Sequence, residues 1–229
     1  MLFNNIKAAI LALFATLAVF AQTDPLCVAP GNCQTPTNAL YSSVIPTSPR
    51  YQWTTGGGFC GALSIQTVAL AHGVWISEDI IRKNAGPGGG HGNDKEGYEI
   101  LHTNIEGALT NLGLKYEAFD YENTPLPQSH SYLGWLKSQL ARGRGVVWFI
   151  MCQGDGHNCY DIPKATYDHI ESVFGLWSNH SLSDPEVYPD DVLVHTSGYA
   201  PDGTNNTGYY RRFDSLIDTT AMNGNCSAA

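Results

Sequence analysis

Residues 54–73 read TTGGGFCGALSIQTVALAHG. Three successive glycines, Gly56, Gly57 and Gly58, let the backbone turn tightly. Phe59 and Cys60 follow. From Ala62 onward the apolar residues Leu63, Ile65, Val68 and Ala69, and then His72, recur at three- and four-residue steps. The run is apolar nearly all round, which predicts a buried helix, and Gly73 can end it. Cys60 therefore opens a buried helix. A helix N-terminus carries partial positive charge and N–H groups without intrahelical partners. Both stabilise a thiolate and lower the cysteine pKa, and the same N–H groups can bind a developing oxyanion. A thiolate attacks a carbonyl but cannot protonate a leaving amine, so the chemistry also needs a histidine.

Outward from this stretch, the first half of the chain carries helical patterns. Ser77 is a cap for a short second helix through Glu78, Asp79 and Ile80. Residues 85–92 (AGPGGGHG) form a loop. Tyr98, Leu101, Ile105, Ala108, Leu109 and Leu112 make one apolar face of a third helix over about 94–112. Leu114–Tyr121 reads as a strand, and Tyr132, Leu133, Leu136 and Leu140 mark a fourth helix. From Gly145 the period changes. Strands are expected at 146–151 (VVWFIM), 169–177 (HIESVFGLW), 191–196 (DVLVHT) and 209–213 (YYRRF). Helices first and strands later imply an α+β fold with an antiparallel sheet. Residues 22–50 are rich in Pro, Thr, Ser and Asn and are expected to be an irregular N-terminal arm. Residues 51–229 then form one domain.

The sequence has eight histidines. His169 opens a predicted strand. His72 lies on the Cys60 helix, twelve residues on, roughly 18 Å away at about 1.5 Å per residue, and so is out of reach. His195 ends a different strand and is the second choice. His91 and His157 lie in loops.

Cys60-Gly61-Ala62 after a glycine run, the buried helix, and a later strand opening with His169 resemble the papain-like cysteine peptidase superfamily. The likeness is to its compact branch of bacteriocin-processing, double-glycine-leader peptidases, peptidase family thirty-nine, and covers roughly residues 50–72 and 145–198. The resemblance implies a helical N-terminal half bearing the catalytic helix and a sheet half bearing the histidine. It implies Cys60 as nucleophile, His169 as general base and acid, and Gln52 as oxyanion donor. Gln52 lies eight residues before Cys60, where the family has about six. The chain departs from the family at the third position. The expected Asn or Asp falls near Leu193-Val194-His195-Thr196-Ser197, which has neither; Thr196, Ser197 and Asn179 are weak substitutes, and Asp191 lies at the other end of the strand.

The address is legible too. Lys7 precedes thirteen apolar residues (8–20, AAILALFATLAVF), too few for a span of about 20. Val19-Phe20-Ala21 suits signal cleavage before Gln22. A secreted, extracellular chain without membrane attachment after cleavage is expected. Sequons at Asn179, Asn205 and Asn225 fit a glycoprotein. All six cysteines (27, 33, 60, 152, 159, 226) lie beyond the signal, where disulfides form. Cys27 with Cys33, Cys152 with Cys159, or either N-terminal cysteine with Cys226 are all open. A working Cys60 thiol leaves one of the other five without an intramolecular partner.

Composition closes several classes. Twelve Lys plus Arg against twenty-one Asp plus Glu, net charge −9, argues against nucleic-acid binding, which needs a basic face. A hydrophobic share of 43% is too high for disorder. His91-Gly92-Asn93-Asp94 and Asp155-Gly156-His157 lack full metal-ligand spacing. Gly86–Gly90 has no following Gly-Lys-Ser/Thr, and no Gly-x-Ser-x-Gly elbow is present. No cofactor or metal is expected. The expected function is a secreted cysteine peptidase or amidase acting on a peptide or other acyl substrate. Its rivals are a catalytically inactive binding module on the same scaffold, and an acyl transferase of transglutaminase type.

Overall fold

The computed structural model describes residues 39–47, 50–53, 57–152, 158–159, 162–163, 167–196 and 209–213. The predicted signal, Cys27, Cys33, Cys226, residues 153–157, Ser197, Asn205 and Asn225 lie outside them.

The fold is α+β. In chain order it comprises β1 (Tyr41–Val44), α1 (Cys60–Ala71), α2 (Glu78–Asn84), β2 (Gly92–Asn93), β3 (Gly97–Tyr98), α3 (Ile105–Asn111) and α4 (Ser129–Ala141), then β4 (Val146–Cys152), β5 (Asn158–Cys159), β6 (Ile162–Pro163), β7 (Tyr167–Ser178), β8 (Val192–Thr196) and β9 (Tyr209–Arg212). β7 is the spine of a five-stranded antiparallel sheet. Along one side it pairs with β4 over its first half and β1 over its last residues; on the other side β8 and then β9 follow. β2–β3 and β5–β6 form two small hairpins.

The pleat sorts β-strand side chains between two layers. Val146, Trp148, Val173, Leu176 and Leu193 face α4 and pack with Leu133, Leu136 and Leu140. Val147 faces the other way, onto a second cluster of Ala62 and Ile65 from α1 with Ile81, Ile100 and Ala108. The sheet thus lies between α4 and α1.

Three expectations need correction. The third helix does not begin near Asp94. Residues 92–98 form the β2–β3 hairpin, and the helix covers only Ile105–Asn111. The Asn93 carboxamide oxygen accepts the N–H groups of Lys95 and Glu96 and closes the turn. Gly97 has φ +78°, and a Cβ there would lie 2.5 Å from the Arg82 carbonyl carbon. The apolar spacing of Tyr98 and Leu101 matches a helix by coincidence, and tertiary contact decides. Leu114–Tyr121 joins no ladder. The arm is not irregular throughout: Tyr41–Val44 pairs with β7, Tyr41 opposite Ser178 and Val44 opposite Gly175.

Candidate functional site

α1 opens at Cys60, which is partly buried. Phe59 is the N-cap, no side chain caps the helix start, and the first turn holds no acidic residue. The dipole and the first N–H groups therefore act on the Cys60 side of the helix without a capping side chain to take them up. Gly61 lets this end sit directly against Ile100; a Cβ on it would lie 2.6 Å from Ile100 Cβ.

One hydrogen bond fixes the helix against the sheet. Ser64 Oγ donates to the Ile170 carbonyl at 3.0 Å. Further along, Val68 sits against Gly145, which adjoins Val146, the partner of Val173. α1 therefore runs along β7 in the same direction. Four residues back from Ser64, about 6 Å along the axis, stands Cys60, at the end of β7 that carries His169.

His169 is buried, 2% exposed. Alternation along β7 puts it on the face of Glu171 and Val173, the α4 side. α1 packs on the opposite face, against Val147. His72 is the C-cap of α1, at the far end from Cys60. His195 pairs opposite Val173, and its Nδ1 lies 3.2 Å from Glu171 Oε2, both side chains wholly buried. The Trp148 ring lies 5.3 Å from the His195 ring. That pair sits about two strand residues beyond His169 and belongs to the α4 layer.

Gln52 is carried by a segment held beside the Cys60 turn. Its neighbour Trp53 stacks on Phe59, centroids 6.1 Å apart, and the Trp53 N–H donates to Glu78 Oε2 at 3.3 Å. Gln52 Nε2 is buried and has no acceptor among the described residues. A buried amide donor without an acceptor is costly unless a ligand oxygen completes it.

Of the residues weighed for the third position, Asp191, Asn179 and Thr196 are among those described. Asp191 is wholly buried against Lys137, 2.9 Å away. Asn179 donates to Asp190 Oδ2 beyond the far end of β7. Thr196 pairs opposite Ser172, three residues along β7 from His169 and on the other face of the pleat. None of the three stands beside His169.

Two residues that the sequence does not mark are prominent here. Arg82, 3% exposed, donates Nη1 to the carbonyls of Gly57 and Gly58, each at 2.7 Å, and Nη2 to those of His91 at 3.4 Å and Gly97 at 3.3 Å. Its guanidinium lies 4.2 Å from the centroid of the Phe59 ring. Glu78 precedes it by one helical turn and is wholly buried. Burial pushes the Glu78 carboxyl up to about 7, against the pull of the Trp53 N–H and the Arg82 cation.

That shift has a definite sign. The native state holds the Glu78 proton more tightly than the unfolded chain does. Its contribution is therefore fully present at low pH and is lost as pH rises from about 4.5 to about 7. The loss is of order 3 kcal/mol by the linkage of one pKa unit to about 1.4 kcal/mol. Urea unfolding at pH 5 and pH 8 should show the decline in wild type and a flatter profile in Glu78→Gln. Equal slopes in the two proteins would rule this assignment out.

A cavity of about 1020 Å³ lies along the later turns of α1, between Ile65, Val68, Val147, Phe149 and Trp135. Cys60, Gln52 and His169 do not line it. Among the described residues no group of three or more His, Cys, Asp or Glu side chains gathers as a metal site would, and no helix is long and apolar enough to cross a membrane.

Fold and site together define an α+β protein with a cysteine at the head of a buried helix, docked on a histidine-bearing strand. No protein-family model, curated protein or solved structure matches the chain.

Proposed function

We propose that the chain is a secreted cysteine peptidase or amidase of papain-like type. Cys60 attacks the acyl carbon of a peptide or related amide, and His169 takes the thiol proton and returns it to the leaving amine. Gln52 Nε2 and the α1 N–H groups receive the oxyanion. Water then resolves the thioester, and an amine acceptor in its place would make the reaction an acyl transfer. The observation that carries this reading is the Ser64–Ile170 hydrogen bond, which brings the Cys60 end of α1 to the His169 end of β7.

A second reading is a binding module on the same scaffold. It is favoured by the position of His169 on the α4 face of the pleat, with α1 packed on the other face. Alkylation separates the two. The secreted full-length protein is treated with iodoacetamide over a pH series, and labelled cysteines are mapped by mass spectrometry. Selective labelling of Cys60 with an apparent pKa well below about 8.5 is expected. A Cys60 that reacts only after unfolding would leave the binding module standing.

A further inference from the structure

We infer that Arg82 is the positioning residue of the nucleophile, setting the backbone from which Cys60 is presented. The inference rests on the proposed role of Cys60. The turn before α1 is built from glycines, which have the widest conformational freedom of any residue. Left to itself such a turn would not hold a helix start in one place. The planar guanidinium supplies what the glycines lack. Its Nη1 binds two successive carbonyls, Gly57 and Gly58, and the Phe59 ring lies against its face. Gly58 has φ +65°, and a Cβ there would overlap the Glu99 carboxyl, so the turn is closed on the other side as well. Phe59 and Cys60 follow directly.

The origin of the clamp is rigid. Arg82 projects from α2, whose N-terminus is capped by Ser77 Oγ accepting from Ile80 N. Glu78, on the same face of α2, holds the Trp53 N–H, so one helix face holds both limbs that meet at the Trp53–Phe59 ring contact. The guanidinium also lies within electrostatic range of the Cys60 sulfur, with Glu99, Glu96, Asp79 and Glu78 as other charged groups around it. The cation adds to the helix dipole in favouring a thiolate. Geometry and charge are separable, because lysine keeps the charge and loses the planar fork.

The test is the alkylation rate of Cys60 against pH in full-length wild type, Arg82→Lys and Arg82→Met. If Arg82 positions the turn, Arg82→Lys raises the apparent thiol pKa by about one unit and slows labelling at pH 7 about tenfold, and Arg82→Met does at least as much. Lys83→Ala, whose partner is the half-buried Asp79, leaves the profile unchanged. A reactive wild type with an unaltered Arg82→Lys profile overturns the inference and leaves the Cys60 reading intact. A wild-type thiol that reacts only after unfolding removes both. Should Arg82→Lys not accumulate folded, Phe59→Leu removes the ring under the guanidinium and leaves α2 whole. An upward shift there supports the positioning role, and an unchanged profile overturns it.

Discussion

Replacing Cys60 by Ala is expected to abolish turnover of any peptide or amide that the wild-type chain cleaves, a loss on the order of 10⁴-fold or more in kcat. The sulfur forms the covalent bond in this mechanism, and no other described residue stands at the head of α1 to replace it. His169→Ala should cost nearly as much, and the double variant little more than either single one, because the two act as a unit. Gln52→Ala should lose about 10²- to 10³-fold, the usual cost of one oxyanion donor, with most of it in kcat. Steady-state kinetics on the three single variants and the Cys60/His169 double variant checks the set. Full activity in Cys60→Ala would end the proposal. Full activity in His169→Ala alone would transfer the proton chemistry to another histidine, and His91 is the one whose backbone Arg82 also holds.

The largest stability effect should come from a buried ion pair remote from the thiol. Lys137 and Asp191 are 2% and 0% exposed and 2.9 Å apart. Lys137 Nζ also donates to the Glu186 carbonyl, and Asp191 Oδ2 accepts from the Tyr188 N–H. The Asp191 carbonyl accepts from Phe213 N at 2.8 Å. This cluster ties α4, the segment before β8, and the chain after β9 together. Asp191→Ala leaves the Lys137 charge buried without its partner, which costs about 3–5 kcal/mol. For a chain of this length that is a fall in Tm of about 6–20 °C. Lys137→Met combined with Asp191→Leu should recover most of it, since paired charges can be exchanged for apolar side chains at little cost. Thermal unfolding of the three proteins measures this, and a single Asp191→Ala variant within about 1 kcal/mol of wild type would show that the cluster is solvated.

The same Asp191 shows what sequence does and does not disclose. Its position at the start of a strand excludes it from the His169 neighbourhood on length alone, and the structure agrees. Its partner Lys137 lies 54 residues earlier, and no local pattern joins them. α1, α4, β4, β7 and β8 are legible because each carries a long apolar period that matches its burial. β1 is not, because Tyr41-Ser42-Ser43-Val44 has no apolar face and owes its strand to the exposed flank of β7. At the candidate site Cys60 is legible from the glycine turn and helix that surround it. Gln52 is marked only by the family resemblance, and its buried Nε2, without an acceptor among the described residues, has no sequence signal. Arg82 and Glu78 act on main-chain atoms about 25 residues away. Such contacts depend on the path of the backbone and not on the identity of the residues touched. An arginine in the middle of a short helix that precedes a Gly-rich loop is the only hint, and it fits a solvated helix face equally well.

The bond from Ser64 to Ile170 spans 106 residues. During synthesis from the N-terminus, α1 and its thiol leave the ribosome long before β7 exists. Contacts of such sequence separation form late and slowly, because loop closure must precede them. In the proposed mechanism the nucleophile is thus made first and its acid–base partner last. A nascent or truncated chain ending before Tyr167 carries Cys60 with no His169 and no sheet on which to dock the helix. On the proposed mechanism the chain becomes competent for acyl chemistry only when its final third has folded onto its first.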